Sequence, residues 1–260
     1  MSGCEDIKVI LRTLAEYNCK GRVLMNPFVG DDVKNGSSLF LIGESHYLPR
    51  ESDCDVSPET WYAGNTVLDD QASGYLETDA LIRDEFLRNG DFNHKPYRIW
   101  KNSAEAINVG GLQLQTSDED SYATIIRRIF SHIVFFNYFR RPARITGGSL
   151  EVEQIDYDVA KAHLDYMIEQ FKPGAIIVVS KKAGLGVAIR KDDSLPWWWY
   201  YNETPIVVTA HPGCKWWNKG VKGYGEWLGK DECISGKILL QEFIARIAPS
   251  FGWMRNGGKS

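Results

Sequence analysis

Four apolar runs stand out along the chain: Ser38-Leu-Phe-Leu-Ile-Gly43, His132-Ile-Val-Phe-Phe-Asn137, Ala175-Ile-Ile-Val-Val-Ser180 and Pro205-Ile-Val-Val-Thr-Ala210. Their apolarity is continuous rather than alternating, which predicts strands covered on both faces, as in a parallel sheet between helices. Helical spacing of apolar residues falls between them, at Asp6 to Tyr17, Thr78 to Leu87, Tyr97 to Ile107, Tyr122 to Phe130, Asp156 to Phe171 and Gly236 to Ala248. The last of these follows Ser235, a good N-cap, and stops before Pro249, which cannot continue the helical ladder. Strand-helix alternation predicts an α/β fold, a three-layer α/β/α sandwich around a central four-stranded, mainly parallel sheet.

The pattern reads as one domain over residues 1–260, with a core at about 38–248 and no repeat or interdomain linker. Met254 to Ser260 reads as a frayed tail. Two connections, 48–77 and 190–204, are long enough to suggest functional loops.

Ligands of open parallel sheets sit beyond the carboxyl ends of the strands. Those ends carry Gly43-Glu-Ser-His-Tyr47, Asn137-Tyr138, Ser180-Lys-Lys182 and Ala210-His-Pro-Gly213, so polar groups far apart in sequence are expected to converge on one crevice. His211, turned by Pro-Gly, can donate to developing negative charge or act as a base. Asn137 offers the acceptor and two donors needed to read an amide or the edge of a base, although asparagine also serves routinely at strand-end turns. Glu44 and Ser45 supply a carboxylate and a hydroxyl, for activating water or for bonding the turn.

Composition narrows the alternatives. A formal net charge of -4 gives no global attraction to polyanions, so nucleic-acid contact would need a local basic patch. Cys214-Lys-Trp-Trp-Asn-Lys-Gly-Val-Lys222 has that composition, interleaving lysines with tryptophans suited to phosphate contact and stacking, while aromatic clusters more often form core. Arg127, Arg128, Arg140, Arg141 and Arg144 read as a solvated basic face.

The five cysteines form no C-x-x-C pair, which argues against a zinc ribbon and a closed disulfide framework and for reduced thiols in a cytoplasmic protein. His46 and His94 lack a second ligand at helical spacing, so no metal is expected. Neither a signal peptide nor a run of the roughly 20 apolar residues of a membrane span is read, which predicts a soluble, intracellular chain without membrane contact.

In order, these pieces resemble the uracil-DNA glycosylase superfamily. That family carries G-Q-D-P-Y or G-E-A-P-G after its first strand, an asparagine after the second, W-G-x-x-A at the third and H-P-S after the fourth. Here Gly43-Glu-Ser-His-Tyr47, Phe135-Phe-Asn137, Val179-Ser-Lys-Lys-Ala183 and Ala210-His-Pro-Gly213 take those places. The resemblance spans residues 38 to 248, and its weight lies in the order and strand-end placement of short motifs.

It implies a nucleobase-processing hydrolase that cleaves the N-glycosidic bond of a flipped, uracil-like or damaged base, acts on DNA or a nucleotide-like ligand, and needs no cofactor. His211 would stabilise the anionic base, Asn137 would read its edge, and Gly43 and Tyr47 would line it. Trp61 or Tyr62, by distance along the chain, would supply an aromatic platform. Gly213, Lys215, Trp216, Trp217 and Lys219 would press on the nucleic acid.

The departures are as informative. The family's water-positioning aspartate is Ser45 and its proline is His46, which leaves Glu44 or His46 to orient water; Gly213 replaces a phosphate-contacting serine. Two other readings follow: a noncatalytic binder of nucleic acid or nucleotide on the same fold, and a serine hydrolase using Ser45 and His211, for which no convincing acid partner precedes the histidine.

Overall fold

A computed structural model describes residues 18–19, 22–90, 92–115, 119–144, 148–188 and 198–255. The expected helix at Asp6 to Tyr17 lies outside them, as does Trp197. The strands are β1 (Asn18–Cys19), β2 (Arg22–Val23), β3 (Phe28–Val29), β4 (Leu39–Gly43), β5 (Ile133–Asn137), β6 (Ala175–Val178), β7 (Trp198–Tyr201) and β8 (Thr204–Val208). β1 and β2 form a separate antiparallel pair, and the rest form a six-stranded mixed sheet in the order β3-β5-β4-β6-β8-β7.

The four expected strands are the central ones, β5, β4, β6 and β8, all mutually parallel. The expected four-stranded sheet is corrected to six strands by two antiparallel edges, β3 against β5 and β7 against β8. Two residues of β3 are too short a run to show periodicity. β7 falls in the segment read as a loop, and its hairpin turns on Asn202 and Glu203, both at positive φ. That is the two-residue turn that ordinarily announces itself as Asn-Gly, and glutamate at its second position hides the signal.

Alternation along the central strands divides the core. Leu39 and Leu41 point to one face, under helices Arg98–Ile107, Glu119–Phe130 and Gly236–Ile247. Phe40 and Ile42 point to the other, under helices Gln154–Phe171 and Lys181–Val187. Helices on both faces are why these strands read as unbroken apolar runs. The expected helix from Thr78 to Leu87 is α-helical only over Thr78–Ala80 and continues as π-helix through Leu81–Arg88.

The connection at 48–77 carries short helices Pro58–Tyr62 and Asp70–Gly74 and a core of its own around Leu48, Trp61, Leu68, Leu76 and Val159. The tail expected at Met254 is likewise ordered at its start, as helix Gly252–Arg255 with Met254 buried. Among the described residues no helix is long and apolar enough to cross a membrane.

Candidate active site at the carboxyl ends of the sheet

Beyond the last sheet residues, the loops continue the ladder. Val179 N–H donates to Ile42 O, Tyr138 N–H to Gly43 O, Phe139 N–H to Glu44 O and Thr209 N–H to Val178 O. Further on, Ala143 N–H donates to His46 O and Leu48 N–H to Ala143 O. The Glu44–Leu48 loop is therefore held backbone to backbone against the segment after β5. Gly43 stands level with Asn137, whose side-chain Oδ1 occupies the space a Cβ at residue 43 would need. Any larger residue at 43 would push the amide out of the crevice.

Glu44 is the hub. Its Oε1 accepts from Ser149 Oγ at 2.7 Å and its Oε2 from Ser180 Oγ at 2.7 Å. Ser180 is the N-cap of helix Lys181–Val187 and accepts from Ala183 N–H, so its single proton is free to face the carboxylate. Ser149 accepts from Lys182 Nζ at 2.6 Å, and the same ammonium donates to Leu150 O at 2.6 Å. The Glu44 charge reaches three further groups: it adds to the upward push of burial on the hydroxyls of Tyr47 and Tyr157, and it opposes the downward push of burial on His211.

His211 is held in one tautomer. Gly213 N–H donates to its Nδ1 at 3.0 Å, so Nδ1 is the acceptor and the proton sits on Nε2. Burial keeps the ring below the usual histidine range, hence neutral at pH 7. The Pro212–Gly213 turn is itself tied down, with Asn102 Nδ2 donating to Pro212 O at 2.8 Å. The Asn137 amide is 9% exposed and has no hydrogen-bond partner among the described residues, which leaves its donors and acceptor for a ligand.

Ser45 and His46 turn the other way, into the protein. Ser45 is 5% exposed, and its Oγ has no hydrogen-bond partner among the described residues, His211 included, so it lacks the nucleophile-base pair a serine hydrolase needs. His46 Nε2 meets Thr78 Oγ1 at 2.6 Å, and burial with the nearby Arg140 charge drops its pKa to about 3. Neither side chain is open to water that Glu44 could share.

Several other sequence expectations are relocated. Trp61 is 1% exposed and donates its indole N–H to Arg140 O; Tyr62 is 5% exposed and donates to Asp156 Oδ1 at 2.6 Å. Both belong to the core under the 48–77 connection rather than to a platform in the crevice. Trp217 is 1% exposed and packs with the helix-covered core, while Trp216 is half-exposed with Lys215 Nζ 4.5 Å above its ring. Lys219 and Gly213 are exposed on the same loop.

Of the five arginines expected on a solvated face, Arg127 and Arg144 are exposed and Arg128 is half-buried, but the other two turn inward. Arg140 and Arg141 are buried, and Arg141 grips Asp156 with Nε at 2.8 Å and Nη2 at 2.6 Å. Nothing in the sequence pointed to Ser149 or to Asp156 as a polar partner, whereas Lys182 was among the strand-end groups expected to converge. Ser180 was legible as a polar residue at a strand end, though the helix it caps was not expected, and Asp156 lies 15 residues from Arg141 with no local pattern joining them. Compared with known proteins, the chain matches no family model, and no curated protein matches it in sequence.

Proposed function

We propose that the protein is a nucleobase-processing hydrolase, breaking the N-glycosidic bond of a flipped uracil-like or damaged base. The observation that carries this reading is His211: a half-buried, neutral imidazole whose Nδ1 is occupied by Gly213 N–H, so that only Nε2–H is left to donate. A neutral donor of fixed direction suits a leaving group that gains charge only as the bond breaks. The electron pair of the C1′–N bond passes to the base, Nε2–H bonds the carbonyl oxygen on which charge collects, and water adds to C1′. The water's proton leaves through the Glu44 carboxylate or directly to solvent. The unpartnered Asn137 amide beside Gly43 supports edge recognition of a planar base.

The test is base release from single- and double-stranded oligonucleotides carrying uracil or another deaminated base, revealed by alkaline cleavage. Release that disappears in His211→Ala supports the reading; no release from any such strand counts decisively against it.

A noncatalytic base- or nucleotide-binding protein is the second reading. It is favoured by the state of Glu44, both of whose oxygens already hold a serine hydroxyl, and by the burial of Ser45 and His46. Tight binding of the same oligonucleotides by wild type without turnover would decide for it.

A further inference from the structure

A second polar cavity, of about 270 Å³, opens behind the His211 loop. Its walls come from three stretches of chain: Asn93; Arg98, Lys101 and Asn102 of helix Arg98–Ile107; and the Pro212–Cys214 loop with Asn218. The volume falls just under the roughly 300 Å³ at which clefts for whole small molecules begin, so it suits a compact group.

The chemistry of the walls chooses the group. Among the described residues the lining holds two cations, three amides and no carboxylate. The larger cavity beside Ser149, of about 670 Å³, is opposite in character, with Asp53, Asp55, Glu151 and Glu153 against Arg141 and Arg144. Lys101 is positioned rather than loose: its Nζ donates to Asn93 Oδ1 at 2.7 Å and lies 5.8 Å from the Tyr122 ring centroid. Arg98 is exposed and makes no ion pair among the described residues. Both cations also stand in the first turn of their helix, where the backbone field favours acids, and that turn contains none. An anion in the cavity would relieve this unfavourable pairing.

We propose that this cavity binds a phosphoryl group of the substrate, the one attached to the sugar whose base lies at His211. This rests on the base-processing reading for its geometry: Asn102 both lines the cavity and fixes the Pro212 carbonyl, so a phosphate held there would seat its sugar against the turn that orients His211. Arg98 and Lys101 would supply charge-assisted bonds, and the amides of Asn102 and Asn218 would complete the shell.

The experiment titrates the full chain with deoxyuridine 5′-monophosphate and with deoxyuridine, alongside the variants R98Q/K101Q and K34Q/K161Q. The second pair removes the same charge at exposed positions outside the cavity. The monophosphate is expected to bind at least about tenfold tighter than the nucleoside, the worth of one charge-assisted hydrogen bond. R98Q/K101Q should erase that difference and K34Q/K161Q should leave it.

A second arm uses a labelled uracil-containing oligonucleotide. If the occupant is a backbone phosphodiester, R98Q/K101Q should lower the salt slope of binding by about 1, and one neutral methylphosphonate linkage beside the target should reproduce that loss. A response confined to the monophosphate instead assigns the cavity to a free nucleotide. Equal affinity for nucleotide and nucleoside, no detectable binding of either, or equal loss in both double variants would overturn the proposal. Base release assayed in parallel separates the two readings: release without phosphate dependence overturns the subsite alone, whereas phosphate-dependent binding without release keeps the subsite and removes the glycosylase reading.

Discussion

One loop feeds two polar regions of opposite character. Glu44 is half-buried, and its carboxylate meets hydroxyls while keeping partial contact with solvent; Tyr47, also half-buried, packs against the core on the Phe40 face. Ser45 and His46 are buried, and His46 feels the charge of Arg140 in a cluster with Arg141, Asp156, Tyr62 and His163, all buried. In that cluster Asp156 is saturated by Arg141, Tyr62 and Glu153 N–H. Among the described residues, Arg140 Nη1, His46 Nδ1 and His163 Nδ1 find no hydrogen-bond partner. Burial pulls Arg140 down to about 10 and holds both histidines neutral. By burial, the inner cluster is the one expected to weigh most on stability, and the half-buried Glu44 and His211 to weigh less.

Four measurements can break or sharpen this contrast. The largest effect is expected from Asp156→Ala, which leaves Arg141 buried without its anion and Tyr62 without its acceptor; breaking a buried pair costs about 3–5 kcal/mol, read from urea unfolding. A loss under about 1 kcal/mol, the range of exposed pairs, would show that the inner cluster is not the support it resembles.

Next in size, His211→Ala should cut base release by roughly 10²–10³, the effect of losing one donor to a developing anion. Its unfolding midpoint should barely move. A variant that unfolds early but still turns over would invert the roles of the two regions.

Acid should act on the inner cluster first. Unfolded, His46 takes a proton near pH 6.5, but in the fold it resists protonation to about 3. Its contribution is therefore complete above pH 6.5 and is lost as pH falls toward 3. By pH 4.5 the loss from this one residue is roughly 2–3 kcal/mol. His163, held down by the same burial and the same Arg140 charge, adds in the same direction. Stability unchanged between pH 7 and pH 4.5 would contradict the buried, neutral state of these rings.

The smallest change belongs to Glu44→Gln. Unfolding should shift by less than about 1 kcal/mol, since the amide keeps much of the bonding. An NMR titration should show His211 moving further below the usual histidine range, because the Glu44 charge is what opposes its burial. An upward move would mean the two groups do not share a field.

Much of the site was readable at the level of position. Glu44, Asn137, Ser180 and His211 each directly follow an apolar run, and the parallel register that sets Gly43 level with Asn137 brings such ends together. Direction was not readable. Ser45 and Glu44 are adjacent, and only the backbone pairing of residues 44–48 with 139–143 decides which side chain faces the crevice. Aromatic content misled for the same reason: Trp61 and Trp217 have the composition of ligand platforms, but each fills a core that the local sequence does not reveal.

By itself, then, the sequence determined the four central strands and most of the helices that cover them, Lys181–Val187 excepted, because continuous apolar runs and helical spacing are local consequences of burial on two faces. It also determined which strand ends carry chemistry. Tertiary structure alone decided that Arg141 would close on Asp156, that His46 would be buried against Arg140, and that Gly213 would fix the proton of His211 on Nε2. Those outcomes depend on desolvation and on partners brought together by folding, and neither leaves a periodic trace along the chain.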